Sequence, residues 1–317
     1  VKTIEHTDAR EVGAENVCLQ AIRELQIDKF LQRQGWTERK IQSTISSLII
    51  RTVYASSEWK SLRLMEENSA AMELLTGNFE DCPTQREVYA AAPELYALKE
   101  DLERHLCRRT DSLFNLTNRI MLFDLTNFYF EGSKRQSAKA KFGRSKEKRS
   151  DCKLLVLALA INTEGFIRYS SILEGNTADP QSLPDMVERI IARNPVSRNP
   201  EEKVLVVVDA GIATESNLQL LKDSGYNYLC VSRTKLKDYT LKDEGRKVTV
   251  LDSRRRPITL AEVSHEPEGD YYLQVNSPAK SMTESSMNRQ WRERFEAELL
   301  KAQRALSTKG GIKTYEK

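Results

Sequence analysis

The spacing of apolar and polar positions changes character near residue 119. Before that point it is helical. In "SEWKSLRLMEENSAAMELLTG", Leu62, Met65, Met72 and Leu75 recur at near-helical intervals, and the run stops at Gly77. "TQREVYAAAPELYALKEDLERHLCRRT" opens on a capping residue, Thr84, and carries Leu95, Leu98, Leu102 and Leu106 along one side. Pro93 interrupts this stretch, so two shorter helices are as consistent with it as one. "GWTERKIQSTI" holds a turn at Gly35 without a convincing helix-turn-helix signature, and the region reads as a packed helical bundle.

After residue 119 the pattern is that of strands. "RIMLFDLTNFYFE" is rich in Phe, Leu and Ile. "KLLVLALAINTEGFIRYSSILEGN" is two apolar runs around a turn at Asn162–Gly165, which predicts a hairpin. "DPQSLPDMVERIIARN" predicts a helix, "KVLVVVD" a buried central strand, "TESNLQLLKDSG" a helix ending at glycine and "YNYLCVS" another strand. The order β, β, β, α, β, α, β implies a mixed α/β sheet with helices on its faces. Residues 235–276 alternate short strand-like runs with turns, and from 284 a highly charged amphipathic helix runs toward Gly310–Gly311. These shifts divide the chain into a helical region (1–115), the first part of an α/β core (116–232), a strand-rich insertion (233–282) and a charged helix with the chain end (283–317).

Composition narrows the classes. With 39% hydrophobic and 30% charged residues, the 317-residue chain is an ordinary soluble protein able to bury a core. No apolar run approaches membrane-spanning length, and "VKTIEHTDAREVG" lacks a signal-peptide core. Five cysteines, scattered and never spaced C-x-x-C, argue against a disulfide framework or a zinc site and for a cytoplasmic protein. His6, His105 and His265 are too dispersed for a histidine-rich metal centre. The net charge of +3 is unevenly spread. Residues 1–110 hold 15 Lys/Arg against 18 acids, residues 132–153 hold nine against two, and residues 232–317 hold 18 against 13. Positive charge concentrated in this way points to a polyanion.

Two acids stand out. Val204–Val208 ends at Asp209, and Asp124 lies within or at the end of the first apolar strand. Taken singly, each is a helix cap, a turn former or half of an ion pair. If their strands are neighbours, both carboxylates reach the same part of the sheet, where like charges repel and favour retention of a proton. A divalent cation relieves that repulsion, and hard oxygen ligands suit Mg²⁺. Such a site fits phosphodiester chemistry.

Asp124–Thr126, the basic "GRSKEKRSD", the hairpin, "EGNTADPQSL" and "VVVDAGIATESNL" together resemble insertion-sequence DDE transposases. The closest group is the one named after insertion sequence 4, in which a strand-rich insertion precedes the catalytic Glu. The resemblance implies a ribonuclease-H-like mixed sheet, preceded by the α-helical region and interrupted by the insertion. It also implies catalysis with two Mg²⁺ ions, for which Mn²⁺ substitutes, and cut-and-paste movement of a DNA element. Asp124 and Asp209 match the first two members of the catalytic triad and would hold the metal. The third arrives in this family on a pattern like Y-x-x-R-x-x-x-E. Trp291, Arg294 and Glu298 are the near match, although the charged surroundings of Glu298 read better as a solvated helix. The expectation is therefore that this chain stops short of the catalytic Glu.

The resemblance implies double-stranded DNA as partner, at element ends and target, and a homo-oligomer assembled on it in the bacterial nucleoid. Lys134, Arg135, Lys139, Lys141, Arg144, Lys146, Lys148 and Arg149 are either a solvated loop or phosphate contacts next to the scissile bond. Phe142 could stack on a base, Asn176 and Asp179 could touch DNA, and Arg254, Arg255 and Arg256 are a DNA-end contact or an exposed hairpin tip. Two rival readings stay open: a catalytically inactive DNA-binding remnant, and an unrelated α/β enzyme whose Asp209 meets a phosphorylated small molecule. The absence of a G-x-G-x-x-G or Walker loop disfavours the second.

Overall fold

A computed structural model describes residues 9–78, 80–132, 134–143, 151–193, 203–232, 239–241, 246–264 and 270–307. The chain divides into two compact units, Val1–Arg233 and Thr234–Lys317.

The first unit opens with helices α1 (Gly13–Glu24), α2 (Ile27–Arg33), α3 (Glu38–Tyr54), α4 (Glu58–Glu67), α5 (Ala71–Thr76), α6 (Gln85–Ala97) and α7 (Lys99–Phe114). Ile41, Ile45 and Ile49 stand four residues apart on α3 and are buried with Leu19, Phe30, Leu31, Met65, Met72 and Val88 in one core. Each such side chain contributes about 1.5–3 kcal/mol of burial. The boundaries follow local chemistry. Thr84 forms a capping box with Glu87, and Thr37 and Ser57 cap α3 and α4. Gly77 ends α5 in a left-handed conformation, φ 78°. The helical stretch read through to Gly77 is split at Asn68–Ala70, where Ala70 N donates to the Glu11 carbonyl. Pro93 lies inside α6, which continues for another turn before the chain breaks at Leu98, so the two-helix alternative is the one found.

The sheet follows. Strands β1 (Ile120–Phe130), β2 (Lys153–Asn162), β3 (Ile167–Glu174), β4 (Leu205–Val208) and β5 (Asn227–Cys230) lie in the order β3-β2-β1-β4-β5. The first three are antiparallel, whereas β4 joins β1, and β5 joins β4, in parallel. This mixed order is that of a ribonuclease-H-like sheet. Met121, Phe123 and Leu125 on β1 and Val206 and Val208 on β4 are buried against α8 (Leu183–Arg193) and α9 (Glu215–Asp223). The central strand is β1. β4, expected to be buried throughout, is buried only at alternate positions, because one face is covered and Leu205 and Val207 lie on the other.

α7 is fastened to β3. Arg168 pairs with Asp111 at 2.7 Å, and Lys99 Nζ pairs with Glu103 at 2.8 Å and donates to the Ser170 carbonyl at 2.6 Å. On the next layer, Tyr169 hydroxyl donates to Asp185, which also pairs with Arg189 at 2.9 Å. Burial, and then that bond to a carboxylate, push the Tyr169 phenol well above its usual range.

The second unit contains β6 (Thr240–Leu241), β7 (Lys247–Leu251), β8 (Pro257–Ser264) and β9 (Tyr272–Asn276), with β8 pairing antiparallel to the other three, and α10 (Pro278–Ser307). α10 begins six residues earlier than its charge pattern suggests, and Met287, Trp291, Phe295 and Leu299 on it are all more than half exposed. Gly310 and Gly311 lie outside the described residues. Among the described residues, no helix is long and apolar enough to cross a membrane.

Candidate active site

The site is built from strand register. Phe123 on β1 faces Val208 on β4, and these are the last paired positions of the two strands. Asp124 and Asp209 are the residues that follow each of them. In parallel strands the pleat keeps such a pair on one face, about 4.8 Å apart at the backbone. Both aspartates are exposed, on the face opposite the buried Phe123 and Val208. Immediately beyond, the Asp209 carbonyl accepts from Ile212 N and Ala213 N, both at 3.0 Å, which turns the chain toward α9. Thr214 then caps α9 by accepting from Asn217 N. That turn leaves the Asp209 side chain at an open strand end.

A third carboxylate is nearby. A β-carbon placed on Gly211 would stand 3.0 Å from Asp179 Oδ2 and 3.6 Å from Asp209 Oδ2. Glycine at 211 thus leaves space that both acids adjoin. The Asp179 loop is held there by Asn217, a buried amide whose Nδ2 donates to the Pro180 carbonyl at 2.9 Å and to the Ile212 carbonyl at 2.8 Å. Sequence reasoning missed Asn217. Its signal was a polar residue on the inner side of an otherwise apolar helix turn.

Two aspartates side by side provide hard oxygen donors that suit Mg²⁺ or Mn²⁺, and neither Asp209 nor Asp179 is in an ion pair with a described residue. Among the described residues, no group of three His, Cys, Asp or Glu is gathered tightly enough to hold a metal ion. The donor set therefore fits part of a divalent-metal site. Glu298 belongs to the second unit, where it is exposed on α10 and pairs with Lys301 at 2.7 Å.

Lys141 lies apart from the two acids. Lys141 forms a two-way backbone bridge with Leu154, which also faces Tyr129 of β1, whereas Asp124 faces Leu159. Lys141 is thus five residue steps of about 3.4 Å along the sheet and two strand spacings of about 4.8 Å across it, about 20 Å from Asp124. Lys134, Arg135, Lys139 and Lys141 are exposed, as is Phe142. The intervening backbone folds back across the sheet end, a step that sequence order does not record. Arg144, Lys146, Lys148 and Arg149 lie outside the described residues. Asn176 is exposed in the turn after β3.

In the second unit, Arg254, Arg255 and Arg256 form the tip of the β7–β8 hairpin. Asp252 organises it, accepting from Arg254 N and Arg256 N at 2.8 Å each and from Arg256 Nε at 2.7 Å. Backbone donation from Arg256 leads the causes that hold the Asp252 carboxyl below its usual range.

No curated protein matches the chain. Among solved structures, it is similar to a piggyBac transposase synaptic complex with hairpin DNA, at 12% identity and TM-score 0.32, covering 76% of this chain and 52% of that one. It is also similar to a Mos1 mariner paired-end complex with Mn, at 14% identity and TM-score 0.24, covering 50% of this chain and 53% of that one. For a pre-cleavage Mos1 transpososome the values are 14% and 0.25, with 55% and 58% covered. The chain spans about half the length of these proteins, and at such scores the fold rests on its own strand order. The family described as "Transposase DDE domain" matches residues 115–302, more than half of the chain and all five strands of the sheet. This chain belongs to that family.

Proposed function

We propose that the protein is a DNA transposase that cleaves phosphodiesters and transfers DNA strands with the help of Mg²⁺, Mn²⁺ serving in its place. The observation that carries this reading is the pairing of Phe123 with Val208, which places exposed Asp124, within β1, and exposed Asp209, just past the end of β4, each one residue beyond a paired position. Both carboxylates would hold the metal, which, when bound, supplies Lewis acidity and neutralises charge on the phosphoryl oxygens. Water attacks phosphorus at the element end, the bond from phosphorus to the 3′-oxygen breaks, and that oxygen takes a proton to become a free 3′-hydroxyl. The 3′-hydroxyl then attacks a target phosphorus, giving up its proton as the target's own 3′-oxygen departs. The sheet contributes positioning, by holding two carboxylates on rigid strands at one point. Two DNA ends must be held together for this chemistry, so the partner is duplex DNA and the working form an oligomer.

The test is nicking of supercoiled plasmid by the protein in Mg²⁺. EDTA, Asp124→Asn and Asp209→Asn each abolish nicking, and nicking that persists in either variant overturns the assignment. The absence of a third close ligand among the described residues favours one other reading, DNA binding without catalysis. Duplex binding with no nicking in either Mg²⁺ or Mn²⁺ would support it.

A further inference from the structure

Met287, Trp291, Phe295 and Leu299 recur every four residues along α10, and each is more than half exposed, Trp291 at 70% and Phe295 at 64%. Side chains at this spacing form one ridge, inclined about 26° to the helix axis. At about 1.5 Å per residue the ridge runs about 18 Å along a helix about 45 Å long. A contiguous apolar row left open to water marks a contact surface.

The charges beside the ridge indicate what fits it. Reading outward from Phe295, Arg294 on one side is answered by Glu296 on the other, Arg292 by Glu298, and Trp291 by Leu299. The stretch is therefore symmetric in its apolar residues and antisymmetric in its charges about one position. With about 100° of turn per residue, Arg292 and Glu296 flank one side of the ridge, and Arg294 and Glu298 the other. A second copy laid antiparallel across the first, with the two-fold axis at Phe295, brings Phe295 against its own copy and Trp291 against the partner's Leu299. Arg292 then lies beside the partner's Glu296 on one flank, and Arg294 beside the partner's Glu298 on the other. A parallel copy would instead set Arg292 beside the partner's Arg294. Self-complementarity of this kind is what a two-fold contact requires. Arg292 pairs with Glu296 of its own helix at 3.0 Å and Lys301 with Glu298 at 2.7 Å, and exposed pairs such as these are weak enough to exchange. Flanks of alternating sign suit a copy of the same helix better than an anionic membrane surface, which calls for a face rich in Lys and Arg alone.

We propose that α10 is a homodimer contact, in which two copies cross antiparallel at Phe295 with their ridges interdigitated at an inclination of about 50°. The contact forms without DNA or metal, so it is separate from any assembly on DNA ends and stands whether or not the protein cleaves DNA. A buried aromatic side chain withdraws about 150–250 Å² from water, so the four ridge residues of both copies together withdraw on the order of 1,000 Å². That lies at the low end for a specific interface and makes the pairing reversible at micromolar concentrations.

Two measurements on the full chain, without DNA and in EDTA, test the proposal. Sedimentation equilibrium from about 1 to 100 µM should show wild type passing from monomer to dimer. Trp291→Glu/Phe295→Glu should stay monomeric with an unchanged melting temperature, because both side chains are exposed in the single chain. Arg292→Glu/Arg294→Glu and Glu296→Arg/Glu298→Arg should each dimerise roughly tenfold more weakly, and an equimolar mixture of the two should regain wild-type affinity. Register is read with a short bismaleimide, using wild type as the background for the native cysteines. Asn288 and Ala302 stand equally far on either side of Phe295, so Asn288→Cys should link to Ala302→Cys in a mixture and not to itself. A wild type that stays monomeric throughout, a dimer that survives Trp291→Glu/Phe295→Glu, or a charge-swapped mixture no tighter than its components overturns the proposal. So does Asn288→Cys that links to itself as readily as to Ala302→Cys, or to neither.

Discussion

Gly175 N donates to the Lys139 carbonyl at 3.1 Å beside the Lys141–Leu154 backbone pair, and substituting Gly175 by Ala tests how closely these segments pack. The new methyl group would meet the Lys141 carbonyl oxygen at 2.6 Å and the Leu154 oxygen at less, and both are main-chain atoms within a paired ladder. No rotamer change can relieve the clash, so Lys139–Gly143 must lift from the strand end. Overpacking of this kind costs about 1–3 kcal/mol. Weakening the Lys141–Leu154 pair and the Gly175–Lys139 bond adds about 1 kcal/mol, since freed groups at this edge regain water. A total near 3 kcal/mol lowers the melting temperature by roughly 6–12 °C for a unit of this size. Two other glycines calibrate the result. Gly165 has φ +88° and nothing within 4 Å of a β-carbon, so Ala there costs only the left-handed conformation, about 1–2 kcal/mol. Gly13 opens α1 with nothing within 4 Å and no positive φ, so Ala there is neutral or gains up to about 1 kcal/mol. Calorimetric melting of the three variants, with hydrogen exchange at the Leu154 amide, gives the order Gly175, Gly165, Gly13 from most to least harmful. A Gly175→Ala protein that melts within about 1 °C of wild type, with Leu154 exchange unchanged, would refute the close packing.

Two smaller outcomes follow from local chemistry. Hydrogen bonding from Arg39 leads the causes that draw the Glu87 carboxyl down from 4.5 to about 2. A depressed carboxylate stabilises above its unfolded value and loses that contribution as pH falls through the folded one, so the contribution is full above about pH 4.5 and lost toward about pH 2. Because the Arg39 and Glu87 side chains are 42% and 28% exposed, it is worth about 1 kcal/mol after solvent screening. Glu87→Gln should flatten the acid limb of a denaturation-versus-pH curve by that amount, and an unaltered limb would contradict the pairing. Gly211→Ala should leave folding nearly intact but crowd Asp179 Oδ2 at 3.0 Å. Plasmid nicking should then fall several-fold with the melting temperature unchanged, whereas undiminished nicking would show that Asp179 has no part in the site.

Much of this architecture is legible in the sequence because local periodicity and capping agree with the tertiary outcome. The β2–β3 hairpin, the capping Thr84 and the strand ending before Asp209 needed no long-range information. The pairing of β1 with β4 did: Phe123 and Val208 are brought together by parallel register across an intervening hairpin and helix, and only that pairing makes neighbours of Asp124 and Asp209. The place of Lys139 and Lys141 also needed long-range information. Lys139 and Lys141 follow β1 closely in sequence, but backbone bonding to Leu154 and Gly175 carries them to the far end of the sheet. The Asp179 loop is tied to the turn after Asp209 by the Asn217 amide, which bonds the Pro180 and Ile212 carbonyls without a local pattern to mark it. Pro93 marked a break but not its place, since α6 accommodates it and ends at Leu98.

The central claim is that Asp124 and Asp209 share one divalent ion. Titration of Mn²⁺ followed by the electron paramagnetic resonance of the free ion tests it directly on wild type, Asp124→Asn and Asp209→Asn. The account predicts saturable binding in wild type and at least tenfold weaker binding in each variant, with all three melting alike in the absence of metal. Equal Mn²⁺ affinity in wild type and either variant would contradict it.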